Sequence, residues 1–157
     1  MVIICDKPFT SVEYETHFAQ FAPIQLSAFQ KWSIKAIVDN DNVLVTAHTG
    51  SGKTLPAEFA INYFTQRKKK VIYASPIKAL SNQKLYDFRR KFPHISFGIL
   101  TGDCKDNPDA DVLIMTTEIL RNTLWAFAPN TTSVITSAHL LSFKMDFAND
   151  LGAVIFD

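Results

Sequence analysis

The chain has little of what several protein classes depend on. Its two cysteines, Cys5 and Cys104, lie far apart and without metal-ligand spacing, which argues against a disulfide framework and for a reducing compartment. Neither sign of charge is in excess: 16 Lys and Arg stand against 15 Asp and Glu, a net charge of +1. No global basic field therefore draws the chain onto a polyanion, and any nucleic-acid contact has to come from local patches or backbone amides. No apolar run approaches the roughly 20 residues that cross a bilayer. The opening MVIICDKPF has too short an apolar run, and no basic leader, for a signal peptide. These absences point to a soluble intracellular protein, cytoplasmic or nuclear, with no membrane partner. The four histidines, His17, His48, His94 and His139, have no carboxylate or cysteine companions at ligand spacing, so they suggest no metal centre. Repeats and low-complexity tracts are absent as well.

What is present is a globular composition, 47% hydrophobic over 157 residues, enough for one domain with a core. Short, nearly all-apolar runs recur at VLVTA (43–47), VIYAS (71–75), ISFGIL (95–100), DVLIMT (111–116) and GAVIF (152–156). Runs of this kind suit strands buried on both faces. Amphipathic stretches separate most of them. Ser27 is placed to cap AFQKWSIKAIV, with Phe29, Trp32, Ala36 and Ile37 on one stripe. A second stretch, TLPAEFAINYF, follows at 54–64. The stretch IKALSNQKLYDFRRKF sets Ile77, Leu80, Lys84, Leu85 and Phe88 at near-helical spacing and ends basic, as a helix C-terminus favours. TTEILRNTLWAF opens on threonines able to cap it. Trp32 and Trp125 fall on apolar stripes and are expected in the core. The basic run Arg67 to Lys70 is expected on a solvated helix end. Strand alternating with helix predicts an α/β domain with a mainly parallel sheet flanked by helices. Residues 1–23 form a lead-in, and 128–150 break the rhythm as an irregular insertion.

Two of the five glycines fall in AHTGSGKTLPAEF, between an apolar run and a helix-like run. Strand, TGSGKT, helix is the context of a phosphate-binding loop. Gly50 and Gly52 can take positive φ and leave no Cβ in the way. The N–H groups of Thr49 to Lys53 can then converge on phosphate oxygens, with the positive end of the next helix behind them. Lys53 is placed for the β- and γ-phosphates and the Thr54 hydroxyl for Mg²⁺. The general pattern has glycine where this chain has Ala47, a small residue that still permits the tight turn. Kinases, transport ATPases, GTPases and helicases all use such a loop.

Further stretches resemble the motifs of superfamily 2 helicases, and most closely the superkiller-like, exosome-associated DExH-box RNA helicases. The resemblance runs from about Ile24 to Asp157 and covers the front part of a first RecA-like domain, so it implies an incomplete RecA-like sheet at 24–157. LSAFQKWSIKAI (26–37) is similar to the adenine-recognising segment. There Gln30 would pair its amide with the adenine edge, although Ile24 stands where the family has a stacking aromatic and only Phe21 is near. SPIKALSNQK (75–84), LTGD (100–103) and MTTEILRN (115–122) resemble the nucleic-acid motifs. The resemblance implies RNA contacts by Ser75, Pro76, Lys78, Thr101, Gly102, Thr116 and Thr117, with Ser81 and Arg121 nearby and Glu118 reserved for capping or a sugar hydroxyl. Each motif follows a predicted strand, and in a parallel sheet those ends share one rim.

The last run, GAVIFD, resembles the strand that delivers the DExH aspartate. Asp157 would then hold Mg²⁺ through water, and together with Lys53 it would make up the catalytic pair in this stretch. The resemblance implies an ATP-dependent RNA helicase using ATP and Mg²⁺, acting on single-stranded RNA with a 3′ overhang, within an RNA-degradation complex. It also implies a truncated motor with exposed sheet edges that is inactive alone. A DNA-directed superfamily 2 helicase, a small-molecule phosphotransferase and a non-catalytic binding module stay open as alternatives.

Overall fold

The computed structural model describes residues 2–126, 146 and 149–157. They form two compact units, Met1–Ala60 and Ile61–Asp157, with the division falling inside one helix. Each unit has its own logic.

The first unit contains the short helix α1 (Glu15–Ala19), α2 (Ala28–Val38) and the start of α3 (Thr54–Gln66). Ser27 is the N-cap of α2, as its side-chain type predicts. Ile34 and Ser33 are buried on its inner face. The lead-in is tied to this helix. The Trp32 indole N–H donates to the Lys7 carbonyl at 2.9 Å, and Phe9 meets the rings of Tyr14, Phe18 and Trp32 edge-on. Phe21 lies 6.2 Å from the buried Phe59 ring, while Ile24 is exposed. Tyr14, Asp39 and Lys35 form an exposed cluster. The hydrogen bond from Lys35, followed by that from Tyr14, holds the Asp39 carboxyl below its ordinary range.

One predicted strand is missing. VLVTA (43–47) has no ladder partner among the described residues, and Leu44 is 90% exposed. Its composition is that of a strand buried on both faces, but β-propensity expresses the fit to a pleated neighbour rather than a backbone preference. Without a neighbour there is no ladder to satisfy the N–H and C=O groups.

The second unit holds a five-stranded sheet: β1 (Lys70–Ser75), β2 (Phe97–Leu100), β3 (Lys105–Asp106), β4 (Val112–Thr116) and β5 (Leu151–Phe156), in the spatial order β3-β2-β4-β1-β5. The β1–β4, β1–β5 and β2–β4 pairs are parallel, and only the two-residue β3 runs antiparallel. The sheet is therefore mainly parallel, as the alternation of runs predicts. β1, β2 and β4 are buried nearly throughout, which is why their sequences read as continuous apolar runs. β5 pairs only with β1 among the described residues, and Phe156 is 68% exposed on this edge.

Two helices flank the central strands: α4 (Lys78–Lys91) and α5 (Thr117–Ala126). Phe88 of α4 packs on Tyr73 of β1 and Phe97 of β2, with ring centroids 5.2 and 6.0 Å apart. The predicted stripe shifts here. Ile77 is an exposed N-cap rather than a core residue, and Ser81 joins Phe88 inside. Trp125, expected in the core, is exposed near the end of α5. Of the basic run Arg67 to Lys70, the first three residues are exposed, as their charge predicts, but Lys70 is half-buried as the first residue of β1. Gly98 fits the β2–β3 corner because a Cβ there would sit 2.0 Å from the Asn107 carbonyl oxygen. The predicted insertion at 128–150 lies outside the described residues except for Asp146, Asn149 and Asp150.

Candidate functional site

In the first unit, the loop before α3 has the backbone its glycines allow. Gly50 and Gly52 have φ of 84° and 85°, a region closed to most residues with a Cβ. The Ser51 N–H donates to the His48 carbonyl at 3.3 Å, and the Leu55 N–H to the Gly52 carbonyl at 3.2 Å, which closes the loop onto the helix. The first N–H groups of α3 have no acceptor within the helix. The Ser51 hydroxyl is buried with no hydrogen-bond partner among the described residues. Lys53 folds back over the loop, its Nζ donating to the carbonyls of Ala47 and His48 at 2.7 and 2.8 Å. Left-handed glycines, an orphaned hydroxyl and an ammonium already bound to oxygen atoms form a donor set suited to phosphate oxygens. Thr49 to Thr54 would hold such a group.

Gln30 is built into this loop. Its Oε1 accepts the Ser27 N–H at 2.9 Å, and its Nε2 donates to the Gly52 carbonyl at 3.1 Å. The side chain is buried. The amide predicted to read a base is thus engaged at both ends, once in the cap of α2 and once on the glycine loop. One amide N–H and one lone pair of Oε1 are left over for an adenine edge. The Ser27 bond is local, half of a Ser-x-x-Gln capping box, but the Gly52 bond is not legible in sequence spacing, because it forms only when α2 lies beside the loop.

In the second unit the parallel register brings the strand ends to one rim. Ser75 is level with Thr116, Leu100 with Met115, and Ala74 with Phe156. Ser75, Thr101, Thr116 and Asp157 therefore stand along the same C-terminal edge of the sheet. The side chains divide into two sets. Ser75, Thr101 and Thr116 are buried, whereas Pro76, Lys78, Gly102 and Thr117 are exposed.

The buried set has structural work. The Ser75 and Ser81 hydroxyls are 2.6 Å apart, both fully enclosed. The Thr101 hydroxyl accepts the Cys104 N–H at 3.2 Å and donates to Asp103 Oδ1 at 3.1 Å. The exposed Thr117 hydroxyl donates to the Ser75 carbonyl at 3.2 Å, tying α5 to β1. The sequence places Ser81 for a phosphate, Ser75 at the strand end, and Thr101 with Gly102 where the backbone can approach RNA. In the folded chain the Ser75 and Ser81 hydroxyls bond each other and the Ile77 carbonyl, and the Thr101 hydroxyl bonds the Asp103 carboxylate and the Cys104 N–H, because a strand end packed under a helix has no water to satisfy them.

Two lysines on α4 face carboxylates across the rim. Lys78 Nζ lies 2.6 Å from Asp103 Oδ1. Hydrogen bonds from Lys78, first, and from Thr101 hold the Asp103 carboxyl below its ordinary range. Lys84 Nζ lies 3.4 Å from Asp157 Oδ2 and rests over the rings of Tyr73 and Phe88. The Asp157 N–H donates to the Ala74 carbonyl at 3.0 Å, extending β5 along β1. Asp103 and Lys84 were not legible as site residues. Lys84 reads as one more position of a helix face, and its approach to Asp157 depends on the order in which the strands pair.

A glycine-lysine loop opening a helix, and a mainly parallel sheet whose motif-bearing strand ends share one rim, define an incomplete RecA-like domain of the phosphate-loop class. The sequence model of the DEAD/DEAH box helicases matches residues 27–157, and the chain belongs to that family. Similar proteins include the antiviral helicase SKI2 of Saccharomyces cerevisiae, 50% identical over 103 residues, which are 66% of this chain and 8% of that protein. The Caenorhabditis elegans mRNA transport homolog 4 is 51% identical over 110 residues, 70% of this chain and 10% of that protein. The human exosome RNA helicase MTR4 is 48% identical over 103 residues, 66% of this chain and 10% of that protein. The chain thus matches a tenth or less of the length of these relatives. Among the described residues, no helix is long and apolar enough to cross a membrane.

Proposed function

We propose that this chain is the front part of an ATP-driven RNA helicase motor. The observation that carries the reading is the match of the helicase family across both the glycine loop and the strand ends. The names of the relatives, antiviral helicase SKI2 and exosome RNA helicase MTR4, support RNA as the nucleic acid and an RNA-degradation complex as the setting. Single-stranded RNA with a 3′ overhang, and a cytoplasmic or nuclear location, belong to the same reading. In it, residues 24–157 are the helicase portion and 1–23 the lead-in.

The residues take these roles. Thr49, Gly50, Ser51 and Gly52 hold phosphate oxygens through the loop backbone, and the Ser51 hydroxyl gains its missing partner. Lys53 exchanges the carbonyls of Ala47 and His48 for phosphate, a stronger, charge-assisted contact. Gln30 couples the base to the loop, since the same amide holds the Gly52 carbonyl. Thr54 and Asp157 are the family's positions for Mg²⁺. When bound, ATP with Mg²⁺ supplies the phosphoanhydride cleavage that powers strand separation. Pro76, Lys78, Gly102 and Thr117 form the exposed RNA rim, with Ser75, Thr101 and Thr116 setting its backbone from beneath. A second RecA-like half completes the catalytic site in motors of this class.

Titration of the chain with a fluorescent ATP analogue and with labelled oligo-RNA tests the reading. Nucleotide binding is expected to be lost in Lys53→Ala and Mg²⁺-dependent in the parent. RNA binding that survives Lys53→Ala and ignores ATP points instead to a non-catalytic binding module. Unwinding assays with the parent protein on RNA and DNA duplexes decide the substrate. Opening of DNA alone would remove the RNA assignment.

A further inference from the structure

Lys78 is the first residue of α4, and Asp103 stands in the turn that follows β2. Their 2.6 Å ion pair lies on the rim, with side chains 51% and 69% exposed. The two partners are not equally free. Asp103 Oδ1 also accepts the Thr101 hydroxyl at 3.1 Å, and that hydroxyl in turn accepts the Cys104 N–H at 3.2 Å. The Thr101 N–H donates to the Cys104 carbonyl at 2.8 Å, and Thr101 itself is buried. A chain of hydrogen bonds therefore anchors the carboxylate to the end of β2, while Lys78 reaches it on a long flexible stem. The carboxylate is the fixed member and the ammonium the movable one.

This arrangement has a consequence for a phosphate arriving at the rim. A lysine paired with a carboxylate at contact distance presents almost no net charge. The incoming phosphate has to draw the ammonium away from Asp103 or accept a neutral site. Either way the contact gains less than a free lysine offers, and it releases fewer counterions from the nucleic acid. A motor that steps along a strand needs a hold that can be released. Resting on the reading that this rim faces nucleic acid, we propose that Asp103 is an affinity-setting residue: it holds Lys78 in a neutral pair and keeps the rim's grip on a backbone phosphate weak.

The test is fluorescence anisotropy with a labelled oligouridine RNA, titrated with the 157-residue chain at several NaCl concentrations. Asp103→Asn removes the charge but keeps an oxygen for the Thr101 hydroxyl. It is expected to bind RNA about threefold to tenfold more tightly at low salt. Its log K against log salt slope should steepen by about 0.7, one more single-strand phosphate neutralised. Lys78→Met should weaken binding and flatten the slope. In the Lys78→Met background the gain from Asp103→Asn should vanish. Asp103→Ser, with a shorter acceptor, gives the same comparison should the asparagine variant melt early. Equal or weaker binding by both Asp103 variants, with an unchanged salt slope, overturns the inference. So does a gain that persists without Lys78, which would mark a general field effect. If Lys78→Met changes nothing, or the parent chain fails to bind RNA at low salt, the nucleic-acid reading of the rim falls, and the inference with it.

Discussion

Alanine at Gly52 should be costlier than alanine at Gly50, although the two residues have nearly the same backbone. Their φ values are 85° and 84°, so each substitution pays the left-handed penalty, about 1–2 kcal/mol for an L-residue. The difference lies in what surrounds them. A Cβ on Gly50 meets nothing within 4 Å, whereas one on Gly52 would sit 2.6 Å from Gln30 Nε2. The end of a glutamine can usually move aside at little cost. This one is buried and bonded at both ends, to the Ser27 N–H and the Gly52 carbonyl. Displacing it loses a part-buried hydrogen bond worth about 1 kcal/mol. Gly52→Ala is thus expected to cost about 2–3 kcal/mol and Gly50→Ala about 1–2 kcal/mol. Urea denaturation followed by tryptophan fluorescence measures both, since Trp32 lies in the same unit as the loop. The comparison sharpens in a Gln30→Ala background, where the obstruction is gone and the two substitutions should cost the same, a coupling of about 1 kcal/mol. Equal losses in the parent background, or strict additivity with Gln30→Ala, would refute the argument that Gln30 is locked against the loop.

Other substitutions probe the remaining packing. Ser51→Ala removes a buried hydroxyl that has no partner among the described residues, so thermal melting without nucleotide should show a gain of up to about 1 kcal/mol; a clear loss would mean the hydroxyl is satisfied. Ser81→Ala deprives the buried Ser75 hydroxyl of its 2.6 Å neighbour and should cost about 1–2 kcal/mol, while the Ser75→Ala, Ser81→Ala pair should cost little more than either alone. Full additivity in denaturant titrations would argue against the pair. Gly98→Ala drives a Cβ to 2.0 Å from the Asn107 carbonyl oxygen and 2.9 Å from Leu113. Because backbone must move, a loss of about 3 kcal/mol is expected, and an unchanged melting temperature would contradict the corner geometry.

The residues explain how far sequence reasoning reached. β1, β2, β4 and β5 were legible because strands in a mainly parallel sheet read as apolar runs, and DVLIMT has no polar face to offer solvent. The glycine loop was legible because steric exclusion of Cβ from positive φ is a local rule that needs no neighbours. VLVTA carries the same kind of signal as those strands and yet forms none, since composition cannot supply a pairing partner. The site divides in the same way. Lys78 and Thr117 are legible as candidates at strand ends, but that they stay exposed while Ser75, Thr101 and Thr116 turn inward is decided by the fold. A hydroxyl at a strand end can face either way until the helix above it is placed.

What the sequence determined by itself was therefore local or periodic: where strands and helices begin, which loop can bend through positive φ, and which motif residues stand at strand ends. Tertiary structure alone decided the strand order β3-β2-β4-β1-β5, and with it which distant residues meet. It closed Asp103 on Lys78, brought Lys84 to Asp157 and locked Gln30 onto Gly52. Contacts of this kind depend on distances between elements, and those distances are set by packing the whole core rather than by any stretch of chain.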